Sequence, residues 1–425
     1  MGETRLHTGL ALLFGTKAGN HIPLFRDALP KTGELPDVFF CTPGSKQTTT
    51  TLSERGYSYV RRYGILPSGE SPRWMLPLGN SRQAVSGLET FQPRSVRNSV
   101  IKALAKAFVR MDWPGWSRNT MLLASKKIPD IDVLTREVTG VSGLAYNFCL
   151  GTPGSHTKLS VQITGSRGEV FGYIKVPVTD KAIARVEHEA RFLERLGRYA
   201  RMRPHVPRVL HASKWKQSFL LFQTNVPGAI SPGQFTKTHE EFLAELRQIR
   251  SVRRSGQNLV QHVGDYFSTA NFSTAMRDLG REALREASLD LASEEIECGI
   301  IHGDFAPWNT KVCGDKLHIY DWEMAADDLP CAWDALHFLA QTDSLLNEGP
   351  GPGRWMEQGH CSRAVYLLYL LFSATKLSLE QSPSNGIAYR AKLLRHALSS
   401  SAPSGSLVPR LSMGSATALK DDAIV

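Results

Sequence analysis

The pattern of apolar and polar positions changes character near residue 135. Upstream, residues 57–66 and 73–78 read as strands joined by a Pro-Ser-Gly-Glu-Ser-Pro loop. Residues 96–110 read as a helix with Val96, Val100, Ile101, Leu104 and Phe108 on one face, ended by Trp113-Pro114-Gly115-Trp116. Residues 1–130 are expected to form a separate, mixed N-terminal region. It carries no recognisable chemistry, and lid, substrate domain and partner surface all stay open as its role.

Downstream the periodicity sharpens. Residues 146–150, 158–164 and 169–176 read as three short antiparallel strands. The loop Gly151-Thr152-Pro153-Gly154-Ser155-His156-Thr157 links the first two, and the turn Gly165-Ser166-Arg167-Gly168 links the last two. A helix follows, capped by Thr179 or Asp180 and running to Leu196. At about 100° per residue, Ile183, Val186, Ala190, Leu193 and Leu196 make one apolar arc, and Glu189 falls inside it. A carboxylate on an apolar face needs a cation, because unpaired buried charge is costly. Lys175, near the end of the third strand, is the candidate. Residues 219–223 read as a further strand and 224–228 as a hinge. Helices are expected over 238–250, 275–288, 364–377 and 388–398, with a disordered Ser- and Gly-rich tail after 399. The expected division is 1–130, 135–225, 226–398 and 399–425.

Composition narrows the class. With 42% hydrophobic and 21% charged residues among 425, the chain reads as an ordinary globular protein of two or three domains. Six scattered cysteines without a Cys-x-x-Cys argue against a disulfide framework or a zinc site, and for a reducing, cytoplasmic setting. The longest apolar run, residues 364–374, is too short to span a membrane and reads as a buried helix. The N-terminus lacks the features of a secretory leader. A net charge of +10 suits a polyanion partner, but the basic residues are dispersed and no nucleic-acid module accompanies them. A solvated basic surface is the preferred reading, and no nucleic-acid partner is expected.

Candidate chemistry concentrates in residues 300–334. Asp304 is followed by an Asn five positions on, Asn309, and by a second acid twelve beyond that, Asp321. Phosphoryl transfer needs this kind of set: a carboxylate to accept the attacking hydroxyl's proton, and two oxygen ligands for Mg²⁺. Ile300 and Ile301 give the segment a buried approach, and Pro307 prevents an early helix, so Asp304 and Asn309 stay on a loop. Charge then sets the roles. Asp304 faces the acceptor hydroxyl, Asn309 and Asp321 hold Mg²⁺ against the β- and γ-phosphates, and Lys175 neutralises the α- and β-phosphates. The loop with Gly151 and Gly154 either lets backbone amides approach the phosphates or is an ordinary turn. His302 reads as a support for the loop, Asp334 as its buried brace, and Trp308, Trp322 and Trp333 as packing. Residues 321–348 hold seven acids and no Lys or Arg; the acids at 327, 328, 343 and 348 allow an acidic acceptor pocket without requiring one.

His302-Gly303-Asp304 with Asn309, followed by Tyr320-Asp321-Trp322-Glu323, resembles the aminoglycoside phosphotransferase and choline kinase group. The resemblance covers about residues 135–395. It implies an α+β, protein-kinase-like two-lobe fold: a small antiparallel-sheet lobe with one helix and a mainly helical lobe, preceded here by the mixed N-terminal region. It implies that Lys175 and Glu189 form the ion pair of the nucleotide lobe, and Gln223, Gly151 and Gly154 are assigned with them to the nucleotide. ATP and Mg²⁺ are then the co-substrate and cofactor, and the acceptor is a hydroxyl of a small molecule of aminoglycoside, sugar, choline or amino-alcohol type. Gly151-x-x-Gly154 departs from the Gly-x-Gly-x-x-Gly of kinases. The competing reading is a nucleotide-binding pseudokinase whose N-terminal region engages a protein partner. A protein kinase fits less well, since the chain runs from Asp321 to Trp333-Asp334 without an Ala-Pro-Glu element.

Overall fold

The computed structural model describes residues 9–14, 24–25, 36–41, 47–66, 73–90, 96–111, 120–150, 154–346, 351–380 and 384–399. The expected loop at 67–72, the break at Trp113–Trp116, Gly151, Glu348 and the tail after 399 lie outside these residues. The described chain divides into two compact units: residues 1–252 with 298–349, and residues 253–297 with 350–425.

The first unit is built on a ten-stranded sheet. Its strands in chain order are β1 (Leu24–Phe25), β2 (Val38–Cys41), β3 (Tyr59–Leu66), β4 (Trp74–Pro77), β5 (Thr120–Ser125), β6 (Ala145–Leu150), β7 (Lys158–Thr164), β8 (Val170–Pro177), β9 (Val209–Trp215) and β10 (Ser218–Gln223). Their spatial order is β1-β2-β5-β3-β4-β6-β7-β8-β10-β9, antiparallel at every step except β1–β2. The N-terminal region was expected to stand apart. Instead it supplies five strands to this sheet, joined where Trp74 and Met75 of β4 pair with Cys149 and Phe148 of β6. One core crosses that seam: Phe14, Tyr63, Met75, Tyr146, Phe148, Val161, Ile174 and Phe222 are all buried in it, and the Tyr63 and Phe148 rings meet edge to face at 5.4 Å. Burying both sets of strands in one core is what couples them.

The helix at Val96–Arg110 forms, but its apolar face is turned outward. Val100, Ile101, Leu104 and Phe108 are exposed. Its inner side is made by Val109 and Ala105, which pack with Leu76, Ala84 and Leu88, while Lys102 and Lys106 both pair with Glu89. Periodicity identified the stripe correctly and could not say which side met the core.

Three features of the first unit position the site. Side chains alternate across a strand, so Ile174 and Val176 in the core leave Lys175 on the opposite face of β8. On that face packs the helix Asp180–Leu196, whose N-cap Thr179 accepts a hydrogen bond from Ala182 N–H. Its buried residues are Ala182, Val186, Glu189, Ala190, Phe192, Leu193 and Leu196, so the expected arc is recovered with Ile183 at its edge. Further on, strand Glu295–Ile301 pairs with Ala326–Pro330 through Cys298, Gly299 and Ile301, and a hairpin of Thr310–Cys313 with Lys316–Ile319 lies between them in sequence.

The second unit is helical. The helices Gly256–Ser268, Thr274–Asp290, Arg363–Leu379 and Ser384–Ser399 pack together, and Arg363 ties three of them by donating to Ala397 O at 2.9 Å and pairing with Glu286 at 3.4 Å. The apolar run at 364–374 is buried within Arg363–Leu379, as expected. Among the described residues, no helix is long and apolar enough to cross a membrane.

Candidate active site

All the candidate residues described here fall in the first unit. Their centre is Lys175, whose ammonium lies 2.6 Å from both carboxylate oxygens of Glu189 and 2.6 Å from Asp321 Oδ1. Glu189 is fully buried. Burial pushes its carboxyl upward in pKa while Lys175 pulls it down. The predicted ion pair is therefore present, and it reaches Asp321 across 146 residues of sequence.

Asp321 stands at the end of the hairpin in a left-handed conformation, φ 67° and ψ 55°, uncommon for a residue with a side chain. Next to it, Trp322 is buried against the His302 ring at 4.8 Å and donates Nε1–H to Ile319 O. Burial opposes the Asp321 charge, but Lys158 and Lys175 outweigh it and hold the carboxyl well below the ordinary range. Lys158, the first residue of β7, lies 3.0 Å from Asp321 Oδ1 and also donates to Glu323. Arg185 stands 3.9 Å from Glu323. The segment after Asp321 is anchored to the Asp180–Leu196 helix by two more contacts. His188 Nε2 meets Ala325 O at 2.7 Å, and Arg195 grips Asp327 with two bonds of 2.8 Å.

Asp304 sits on the loop after Ile301. Asn309 Nδ2 donates to its backbone oxygen and to Oδ2, both at 2.8 Å, and His337 Nε2 lies 3.1 Å from Oδ1. About a third of the Asp304 side chain is exposed, so the group is held and yet reachable. Pro307 opens a 3-10 turn over Pro307–Asn309, where its missing N–H costs nothing. Asn309 O then accepts from Tyr320 N–H at 3.1 Å, bringing Asn309 beside the residue that precedes Asp321.

The supports match their sequence reading. Asp334, at the start of helix Trp333–Leu346, accepts from His302 N–H at 2.7 Å and Gly303 N–H at 2.9 Å. Gly303 has φ +74°, and an added Cβ there would lie 2.1 Å from Met324 O, so only glycine fits the turn. His302 accepts Asp304 N–H at Nδ1, 3.2 Å, which makes Nε2 the donor to Tyr320 O at 3.1 Å. Both nitrogens serve the loop. Burial pushes the His302 pKa down to about 4, and burial does the same to His239, whose Nδ1 accepts from Thr236 N–H. A lowered folded pKa means that protonation favours the unfolded chain. The stability these neutral imidazoles contribute is complete above an unfolded pKa of about 6.5 and is lost as pH falls toward about 4. Chemical denaturation is therefore expected to give a stability lower by about 2 kcal/mol per histidine at about pH 5 than at about pH 7. In His239→Gln the drop should shrink; an unchanged drop would remove His239 from it.

Of the remaining predicted residues, Gly154 spends its N–H on Thr157 Oγ1 at 2.9 Å, and Gly151 lies outside the described residues. Gln223 is buried at the end of β10, paired with Tyr173 of β8, and its Oε1 has no hydrogen-bond partner among the described residues. The acidic acceptor pocket is weakened: Asp327 is taken by Arg195, and Asp328 by Arg250 at 2.9 Å. Sequence reasoning missed Lys158 and His337. A register for β7 and β8 would have found the first, since Ser160 pairs with Lys175 and Lys158 shares the face of Ser160. His337 follows Asp334 by three on one helix, hence on the same face.

Fold and site together define an α+β protein: a largely antiparallel sheet with the helix Asp180–Leu196 packed on it, a strand lysine paired with a helix glutamate, and a loop carrying Asp304 and Asn309. Its structure is similar to that of a thermostable mutant of aminoglycoside phosphotransferase APH(4)-Ia in ternary complex with ADP and hygromycin B, at 13% identity, covering 63% of this chain and 97% of that one, with a TM-score of 0.46. Also similar are the GDP complex of aminoglycoside 2'-phosphotransferase-IIIa (12% identity, 63% and 96% covered, TM-score 0.44) and a choline/ethanolamine kinase family protein from Mesorhizobium loti (18%, 59% and 88%, 0.37). No family model and no curated protein matches the chain.

Proposed function

We propose that the chain is a phosphotransferase that moves the γ-phosphoryl group of ATP to a hydroxyl of a small molecule. The observation that carries this reading is the convergence of Lys175, Glu189 and Asp321 at 2.6 Å within the unit that also holds Asp304 and Asn309. In this reading the functional lobes are residues 135–225 and 226–398. Lys175, held by Glu189, contacts the α- and β-phosphates. Gln223 offers its Oε1, a buried acceptor with no partner among the described residues, to a donor on the base. Asp304 orients the acceptor hydroxyl and takes its proton, steadied by Asn309 and His337.

The donor chemistry fits Mg²⁺. Asn309 and Asp321 present an amide oxygen and a carboxylate, the hard oxygen ligands that ion takes. Bound there, it supplies charge neutralisation for the transferring phosphates. The carboxylates of Glu189, Asp321 and Glu323 also lie within 4.8 Å of one another, but Glu189 already gives both oxygens to Lys175. Asp321 is thus the acid best suited to the metal.

The test is Mg²⁺-dependent ATP consumption by the wild-type chain across a panel of aminoglycosides, sugars, choline and amino alcohols, with phosphorylated product identified by mass. Transfer to at least one hydroxyl acceptor is expected. Nucleotide binding with no transfer to any of them would favour the regulatory, pseudokinase reading.

A further inference from the structure

Resting on that reading, we propose that Lys158 is a second phosphate-binding lysine, parked on Asp321 and Glu323 until a nucleoside triphosphate takes it. The two lysines are held differently. Lys175 is clamped by both oxygens of a fully buried glutamate, so it is fixed in place. Lys158 is held by Asp321 and Glu323, whose side chains are 28% and 17% exposed, and it is 15% exposed itself. It therefore lies on the open side of the cluster.

Its position also suits the role. Lys158 directly follows the loop that ends at Thr157, and it shares the face of Ser160, the cross-strand partner of Lys175. Both ammonium groups meet the same oxygen, Asp321 Oδ1, at 3.0 Å and 2.6 Å. That is the carboxylate assigned to the metal. Two cations already crowd that oxygen, so a third, divalent one held there would compete first with Lys158, whose partners are the more exposed.

Charge balance gives the released lysine a destination. Three carboxylates, Glu189, Asp321 and Glu323, face three cations, Lys158, Lys175 and Arg185, so the cluster is neutral as it stands. A divalent cation adds two positive charges, and the phosphates that accompany it supply negative charge in return. Phosphate oxygens accept charge-assisted hydrogen bonds at least as well as a carboxylate does. Lys158 thus exchanges one anionic partner for another, and the exchange ties metal arrival to phosphate binding. Glu323 keeps the lysine within reach of both.

The experiment compares ATP in the presence of Mg²⁺ with adenosine, each titrated against wild type and Lys158→Met, and against GTP and guanosine if the wild type prefers guanine. Loss of one charge-assisted contact is expected to weaken the triphosphate about ten- to a hundredfold and leave the nucleoside unaffected. A lysine that served only to pack the sheet would lower both affinities alike. Equal loss for both ligands, or none for the triphosphate, overturns the role of Lys158 while leaving the phosphotransferase reading to its own acceptor assay. Should the methionine variant not fold, Lys158→Gln removes the charge with a hydrogen-bonding side chain and carries the same comparison. A wild type that binds no nucleotide at all overturns both readings.

Discussion

Asp304→Asn is expected to lower kcat by about 10²- to 10⁴-fold, the usual contribution of a positioned general base, while nucleotide affinity stays near its wild-type value. The substitution nearly preserves shape, so the loss is chemical. Asp304 accepts Asn309 Nδ2–H at Oδ2 and faces His337 Nε2 at Oδ1. An amide can accept at one end only, so with that end kept on Asn309 its NH₂ group faces His337 Nε2, a nitrogen whose donor or acceptor role follows its tautomer. It also cannot take the proton of an acceptor hydroxyl. Steady-state kinetics with any productive acceptor, beside a direct nucleotide titration, separates the two effects. Full retained rate would remove Asp304 from the mechanism.

Asp321→Asn is expected to be as severe for a different reason. In the proposed reading the carboxylate offers charge to a metal, and in the structure it holds Lys158 and Lys175 at once. Several kcal/mol of charge stabilisation is at stake, equivalent to about a thousandfold or more in kcat/KM for the metal–nucleotide complex. Raising Mg²⁺ should recover part of the loss, which it should not do for Asp304→Asn. The folded protein should feel the change too. Because Asp321 is held below the ordinary carboxylate range, its ionised form stabilises the native state above the unfolded pKa, and that contribution fades as pH falls through the lower folded value. The neutral variant should therefore lose stability at neutral pH and show a flatter dependence below it, as read by denaturant titration. Equal activity and an unchanged acid profile would sink the assignment.

The acceptor side reads differently once ion pairs are considered. The run of seven acids in residues 321–348 invited a cation-binding pocket. Arg195 and Arg250 come from the helix Asp180–Leu196 and from the residue after helix Lys237–Ile249, and they neutralise Asp327 and Asp328. Those acids fasten the segment after Asp321 in place, so the acceptor class rests on direct assay and not on local acidity.

Much of this site was legible because its parts are local. Asp304, Asn309 and Asp321 lie within one stretch whose loop and turn residues, Gly303 and Pro307 among them, declare a non-helical path. The inward position of Glu189 followed from helical periodicity, and the need of a buried carboxylate for a cation pointed to Lys175. Short-range order of that kind is written in the spacing of residue types. What lies outside it depends on contacts between distant segments. Period-two and period-3.6 patterns define a face but not its destination, so the stripe at Val100, Ile101, Leu104 and Phe108 was recognised and its outward orientation was not. Strand partners are chosen by the whole sheet, so the pairing of β4 with β6 that merges the N-terminal region into one core could not be read from either strand alone. By itself the sequence determined the loop carrying Asp304 and Asn309, its supports His302 and Asp334, and the Lys175–Glu189 pair. Only the tertiary structure brought Lys158 and Lys175 onto the same oxygen of Asp321 and set His337 against Asp304, because those contacts are fixed by strand register and by a helix docking after a turn, where sequence distance carries no information about proximity.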